Sequence, residues 1–194
     1  MYPRIAFALL LLPLVFAAHT AERIWVIEPG SRLAIYGSTN VNRFICRTGC
    51  YDGKDTLRFN ADEEAREIRF VKNRMSVPVR SFDCGARPIS KDFWETLQAE
   101  RYPRLEIRLW SLHCNSIRDG SRVRGQVDIS LAGVTKRFTI EYEIITQRGN
   151  IIRLKGRQPV QFSDFALKAP EKFNGLIKVK EILDVEFDLV IREL

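Results

Sequence analysis

The residues in this chain whose chemistry could define a function are four cysteines and two histidines. Cys46, Cys50, Cys84 and Cys114 could be metal ligands, redox thiols or disulfides. Zinc sites usually bring two close cysteine pairs. Here three residues separate Cys46 from Cys50 and the other two stand alone, so no metal site is expected. No Cys-x-x-Cys is present to poise a reactive thiol. His19 falls in an apolar leader, which leaves His113 alone. One histidine excludes a zinc site with two or three imidazoles, and no Gly-x-Ser-x-Gly elbow accompanies it. His113 therefore reads as an ordinary strand position. Gly-x-Gly-x-x-Gly and P-loop patterns are absent, so no cofactor is expected. Asp92 and Glu95 are the nearest approach to paired carboxylates, and they read as a solvated helix face. The chain is expected to bind, not to catalyse.

The compartment decides how the cysteines behave. Arg4 precedes an apolar run from Ile5 to Ala18, 14 residues long and too short for a bilayer, which needs about 20. Small residues follow, with Val15-Phe16-Ala17 and Ala18 to Ala21 as cleavage sites. This reads as a secretory signal peptide over residues 1–21, with a mature part over 22–194 that is periplasmic or secreted. No cysteine follows the apolar run to carry a lipid anchor, and no later apolar run approaches a membrane span. Export favours two disulfides.

The elements that position the cysteines are strands. Val123 to Leu131, Phe138 to Ile144, Leu183 to Ile191 and Leu105 to Leu109 alternate apolar with polar side chains, each with one wet face. Shorter candidates are 33–36, 44–50, 56–59, 67–71, 75–79 and 151–155. Turns are expected at Asp52-Gly53, Asp119-Gly120, Ala132-Gly133 and Gly149-Asn150. One stretch has helical spacing. Ser90 reads as its N-cap, Lys91 to Glu100 as its body, and Tyr102-Pro103 as its stop. With no linker or repeat, the prediction is one all-β domain with one short helix near residues 90–100, a sandwich or an antiparallel barrel.

If 44–50 is a strand, Cys46 and Cys50 share a face about 13 Å apart at ~3.3 Å per residue. That is too far for a disulfide, so each must reach Cys84 or Cys114. The expected pairing is Cys46–Cys84 with Cys50–Cys114. The first closes a loop worth roughly 4 kcal/mol in the chain-entropy description.

Several landmarks follow one another in a familiar order. They are Trp25-Val26-Ile27 with Ser31, Ser38-Thr39-Asn40-Val41-Asn42, Val77-Pro78-Val79-Arg80-Ser81-Phe82-Asp83-Cys84-Gly85, Asp92-Phe93-Trp94, Tyr102-Pro103-x-Leu105-x-Ile107, Gly125 through Leu131-Ala132-Gly133-Val134-Thr135-Lys136, and Ser163-Asp164-Phe165 with Leu167. Together they resemble the YceI-like polyisoprenoid-binding family across nearly the whole mature part. Three departures stand out. Ala166 replaces the usual Gly, the Arg before the late Asp-Phe is not in its usual place, and Cys50 and Cys114 are additional to a disulfide-bearing branch.

The resemblance implies a lipocalin-like antiparallel β-barrel whose apolar interior holds a polyisoprenoid or another long-chain lipid, as carrier, store or scavenger. It implies no catalytic residues. The inward candidates from the alternating strands are Ile35, Phe44, Leu57, Phe59, Ile68, Phe70, Ile107, Leu109, Val127, Ile129, Phe138, Ile140, Tyr142, Val185 and Phe187. Phe93, Trp94 and Leu97 of the helix are expected to close one end. The alternative is a structural or stress-related envelope protein with a filled core, since alternation alone does not distinguish the two. The net charge of +7 falls to +6 without Arg4 and is scattered. That suits transient contact with anionic headgroups and not nucleic acid, for which no motif is present. An uncovered barrel seam would offer an interface between copies.

Overall fold

The computed structural model describes residues 22–49, 51, 55–62, 66–113, 120–146 and 149–194. The expected leader, the Asp52-Gly53 turn, Asp119, Cys50 and Cys114 lie outside the described residues, and with them the second proposed disulfide.

In chain order the elements are β1 (Arg23–Ile27), β2 (Arg32–Ser38), β3 (Arg43–Thr48), β4 (Thr56–Asp62), β5 (Glu67–Lys72), β6 (Arg74–Pro78), β7 (Phe82–Asp83), α1 (Arg87–Thr96), β8 (Arg104–His113), β9 (Arg122–Leu131), β10 (Val134–Thr146), β11 (Ile151–Gln161), β12 (Glu171–Lys172), β13 (Ile177–Lys178) and β14 (Ile182–Glu193). Strands β1, β4, β5, β8, β9, β10, β11 and β14 pair antiparallel in that order, and β14 closes back on β1. This is the antiparallel barrel that the resemblance implies, and one of the two architectures the alternation left open.

The two ends of the barrel are built from different staves. At one end the last residues of β14 pair with β1, as in Ile191↔Ile27, and β5 pairs with the end of β8. At the other end residues 184–188 of β14 pair instead with β2, which continues to β3 and β7. There β6 takes over from β5 along residues 104–108 of β8. Among the described residues no ladder joins β7 to β6, and α1 packs over that gap.

Ser31 sits where β14 changes partner. Its buried hydroxyl accepts the Val190 amide at 2.9 Å and donates to the Glu28 carbonyl at 2.9 Å. A backbone amide stranded between two ladders must find such an acceptor.

The strong alternating segments become strands close to their expected limits. The β9–β10 reversal at Ala132-Gly133 has φ of 49° and 81°, the left-handed pair that suits a two-residue hairpin. Three of the differences from expectation bear on the argument. First, β1 is a strand where none is expected. Second, β11 runs to Gln161 and not to Lys155. Alternation is broken at Gly156 and Pro159, but Pro159 lies beyond the last β10 partner, an edge position that tolerates its missing N–H.

Third, Ser90 is not the N-cap. The helix starts at Arg87 behind Ala86, because Pro88 suits a first turn, and Ser90 is buried one turn inside. Its hydroxyl accepts the Cys84 amide and donates to Asp83. The helix ends at Thr96, well before Tyr102-Pro103. Gln98 then turns left-handed at φ 54°.

Candidate functional site

Cys46 and Cys84 form a disulfide that ties β3 to the residue after β7, so this half of the expected pairing holds. The crosslink lies beneath α1, whose Phe93 stacks on Phe82 of β7 at 5.5 Å. Helical geometry puts Phe93 and Leu97 on one inward face, and both are buried.

Trp94 is partly buried at the same end. It is one residue round the helix from Phe93, and its indole N–H donates to the Phe82 carbonyl at 3.0 Å. Its ring faces outward beneath Arg80, 5.6 Å away. It covers the seam between β7 and β6 and does not line the interior.

Under α1 lies an apolar cavity of about 50 Å³. Its lining includes Leu33, Ile35, Phe82, Phe93, Leu97, Leu105, Ile107, Ile129, Leu131, Val160, Phe162, Phe165, Leu167, Leu183, Val185 and Phe187, with Gln161 as the one polar contributor. Seven of the expected residues therefore meet here: Ile35, Phe93, Leu97, Ile107, Ile129, Val185 and Phe187.

The 3-10 turn Phe162–Phe165 fills the space where β11 has left β10, with Phe165 against Phe138 at 6.2 Å. Asp164 fixes this turn. It accepts the Gln161 amide at 2.9 Å and the ammonium of Lys136. Burial raises its pKa, but the Lys136 and Gln161 contacts together outweigh burial and hold it below the usual carboxylate range.

Phe93, Phe162 and Leu183 also form the inner wall of a larger groove of about 230 Å³. Phe44, Cys46, Ile89, Pro170, Ile177 and Val179 supply the rest of its apolar wall, and Thr39, Asn42, Arg43, Asp92, Thr96 and Lys172 its polar margin. Phe44 lies flat over Gly37, where an added Cβ would come within 2.2 Å of the ring. Asp92 pairs with Lys172 at 2.7 Å and Glu95 with Lys91 at 3.6 Å. The two carboxylates thus serve separate ion pairs, not one acid-base site.

The remaining expected residues are placed elsewhere. Leu57, Phe59, Ile68 and Phe70 pack with Trp25 at the opposite end. Trp25 lies 4.8 Å from Phe59 and 5.7 Å from Phe70. Leu109, Val127, Phe138 and Ile140 are buried in the barrel between the two ends. Tyr142 is wedged between Gly125 and Gly156, where any Cβ would come within 2.9 Å and 2.5 Å of its ring. Burial pushes its hydroxyl well above the ordinary tyrosine range. His113 is exposed at the end of β8, 3.2 Å from Glu67.

The sequence reading did not include Phe162, Phe165, Leu167 or Leu183 as cavity residues. The first three lie in and just after a 3-10 turn, which has no period-2 signature. The Ser163-Asp164-Phe165 motif was the available pointer to them.

No protein-family model matches the sequence, and no characterised protein matches it by sequence. Solved structures do match. The polyisoprenoid-binding domain from Saccharophagus degradans superposes with a TM-score of 0.58 at 12% identity, covering 87% of this chain and 97% of that one. BcnA of Burkholderia cenocepacia gives 0.57 at 15% identity, covering 82% and 95%. The YceI protein of Campylobacter jejuni gives 0.52 at 13% identity, covering 69% and 78%. At these identities the likeness is one of fold: the chain is an antiparallel β-barrel that shares its fold with these three structures.

Proposed function

We propose that this protein is exported to the periplasm or beyond and holds a polyisoprenoid or a similar long-chain amphiphile by its tail, as carrier, store or scavenger. The observation that carries this reading is the pair of spaces that meet at Phe93, Phe162 and Leu183. The inner one is apolar throughout but for Gln161, and the outer one has a polar margin. A tail gains about 0.8 kcal/mol per buried CH₂ in such a lining, while a head group can stay among Arg43, Asp92 and Lys172. Nothing in the inner lining could act as nucleophile, acid or base, which fits binding without catalysis. The fold shared with a domain described as polyisoprenoid-binding supports the same ligand class. The Cys46–Cys84 disulfide and the apolar leader support export.

A second reading is favoured by one feature of the inner space. An inner space of about 50 Å³ is small beside the roughly 300–1,000 Å³ of usual ligand pockets. On that reading the barrel is a filled, non-catalytic envelope protein. On the first reading Phe93 and Phe162 turn aside as the tail enters from the groove.

Native mass spectrometry and solvent extraction of protein purified from the periplasmic fraction separate the two. Recovery of a stoichiometric lipid supports the carrier. Protein that comes out empty and refuses labelled isoprenoids in detergent overturns it. Fractionation that leaves the chain in the cytoplasm overturns the proposed location.

A further inference from the structure

The hairpin β12–β13 stands beside the outer groove, and Asn40 makes three of the hydrogen bonds that hold it there. Asn40 donates its backbone amide to the Lys178 carbonyl at 3.1 Å. Its side-chain oxygen accepts the Lys178 amide at 3.0 Å, and its side-chain nitrogen donates to the Leu176 carbonyl at 2.9 Å. Lys172 of the hairpin reaches across to Asp92 of α1. The tip of the hairpin and the turn at residues 39–42 therefore form one continuous rim.

That rim is apolar where solvent should favour polarity. Val41 is 65% exposed, Phe173 72% and Leu176 74%, and Ile89 on the facing helix is 41% exposed. Of the eight exposed large apolar side chains among the described residues, Ile89 lines this groove and Val41, Phe173 and Leu176 each directly follow or precede a residue that borders it in sequence (Asn42, Lys172 and Ile177), which marks a contact surface. Phe173 also holds a left-handed backbone at φ 52°, unusual for a bulky side chain, ahead of the Asn174-Gly175 turn.

The same segment is cationic. Residues 168–180 carry four lysines against Glu171, a net of +3. Arg43 is exposed on the groove margin. Lys168, Lys180 and Arg43 make no ion pair among the described residues. Large apolar side chains at a loop tip, flanked by cations, complement the interfacial zone of an anionic bilayer. There the apolar groups enter the acyl boundary and the cations meet phosphates.

We infer that the Phe173–Leu176 tip and Val41 dock this protein on an anionic lipid surface, with the mouth of the outer groove facing the bilayer. This rests on the reading of the cavity as a lipid site and adds where the lipid comes from. A tail then passes from bilayer to groove without crossing water.

The test uses the mature chain, residues 22–194, with sedimentation of phosphatidylcholine vesicles made with or without phosphatidylglycerol. A parallel assay follows uptake of a fluorescent isoprenoid from detergent micelles. The wild type should sediment with the anionic vesicles and be released by high salt. The double variant F173D/L176D should bind at least about tenfold more weakly, roughly the effect of 1.4 kcal/mol. Its circular dichroism and its uptake from micelles should not change, and V71D, an exposed apolar change off the rim, should behave as wild type. Docking is overturned if the wild type ignores anionic vesicles, or if F173D/L176D binds them like the wild type. Uptake from micelles without vesicle binding sinks the docking surface alone. Vesicle binding without uptake leaves docking standing and sinks the lipid cavity.

Discussion

The two ends of this barrel are closed by different means. At the Trp25 end the staves are strands all the way round, and the interior is filled by Trp25, Phe59, Phe70, Leu57 and Ile68 in mutual contact. At the helix end no ladder joins β7 to β6 among the described residues, β10 and β11 part company, and a helix and a 3-10 turn fill the gaps. The apolar cavity lies at this second end. Continuous pairing sets the distance between staves and lets side chains interdigitate to crystal-like density. A wall finished by a helix on a seam has no such fixed spacing. A space that opens for a ligand belongs where the wall is least constrained by backbone pairing.

The largest test of that contrast compares two phenylalanines. Phe59→Ala removes a fully buried ring with neighbours on every side and should cost about 3–5 kcal/mol in urea unfolding. Phe162→Ala removes a ring that already borders open space and forfeits fewer contacts, so its cost should be lower by about 1–2 kcal/mol. The same variant should take up isoprenoid from micelles faster than wild type, whereas Phe59→Ala should not. Equal costs for the two rings would remove the distinction between a packed and an adaptable end.

The disulfide supplies the next test. Cys46→Ala with Cys84→Ala should cost about 2–4 kcal/mol, since the bridge spans 38 residues of the denatured chain. The loss should be local as well as global. Amide exchange should rise first in β3, in β7 and at the start of α1, beside the bridge, while β1 and β4 hold their protection. Uniform loss of protection would mean that the two ends open as one unit.

What the sequence made legible follows the same division. The long alternating runs in β8, β9, β10 and β14 each bury one face against a single core, and period-2 patterning records that directly. Ile107, Ile129, Val185 and Phe187, picked out in this way, border the inner cavity. Alternation could not say that Leu57 and Phe59 face a filled end while Ile35 and Phe187 face a space, because inward is the same signal in both. Helical spacing sets the angle of Trp94 but not the acceptor its indole N–H seeks, the Phe82 carbonyl. Phe162 and Phe165 were missed because a 3-10 turn leaves no periodic trace. Ser90 was read as a cap because a buried hydroxyl serving the Cys84 amide cannot be told by type from one serving a helix end.

Where β14 changes partner, one hydroxyl stands between the two halves of the contrast. Ser31→Ala leaves the Val190 amide without its acceptor in a buried setting and should cost about 1–3 kcal/mol. The loss should appear as faster exchange of the Val190 amide, with the Trp25 cluster and the cavity residues otherwise unchanged by chemical shift. If Ser31→Ala is neutral, the change of staves needs no special satisfaction and the two ends are less distinct than the ladders suggest.

The smallest expected effect is acid loosening confined to the helix end. The Asp164 carboxylate, held below the usual range, anchors the turn carrying Phe162 and Phe165 through Lys136 and the Gln161 amide. A lowered folded-state pKa means its stabilisation is fully present at neutral pH, above the unfolded value near 4, and is lost as pH falls through the folded value. Below about pH 4 the Gln161 amide resonance should therefore shift and its exchange protection fall, while the amides of Trp25 and Phe59 stay put. Asp164→Asn should show the loosened turn already at pH 7, with little further change on acidification, because no carboxylate remains to titrate. Equal acid responses at both ends would assign the loosening to net charge and not to this contact. A response limited to residues 161–167 would show that the cavity's wall can relax while the packed end holds the barrel together.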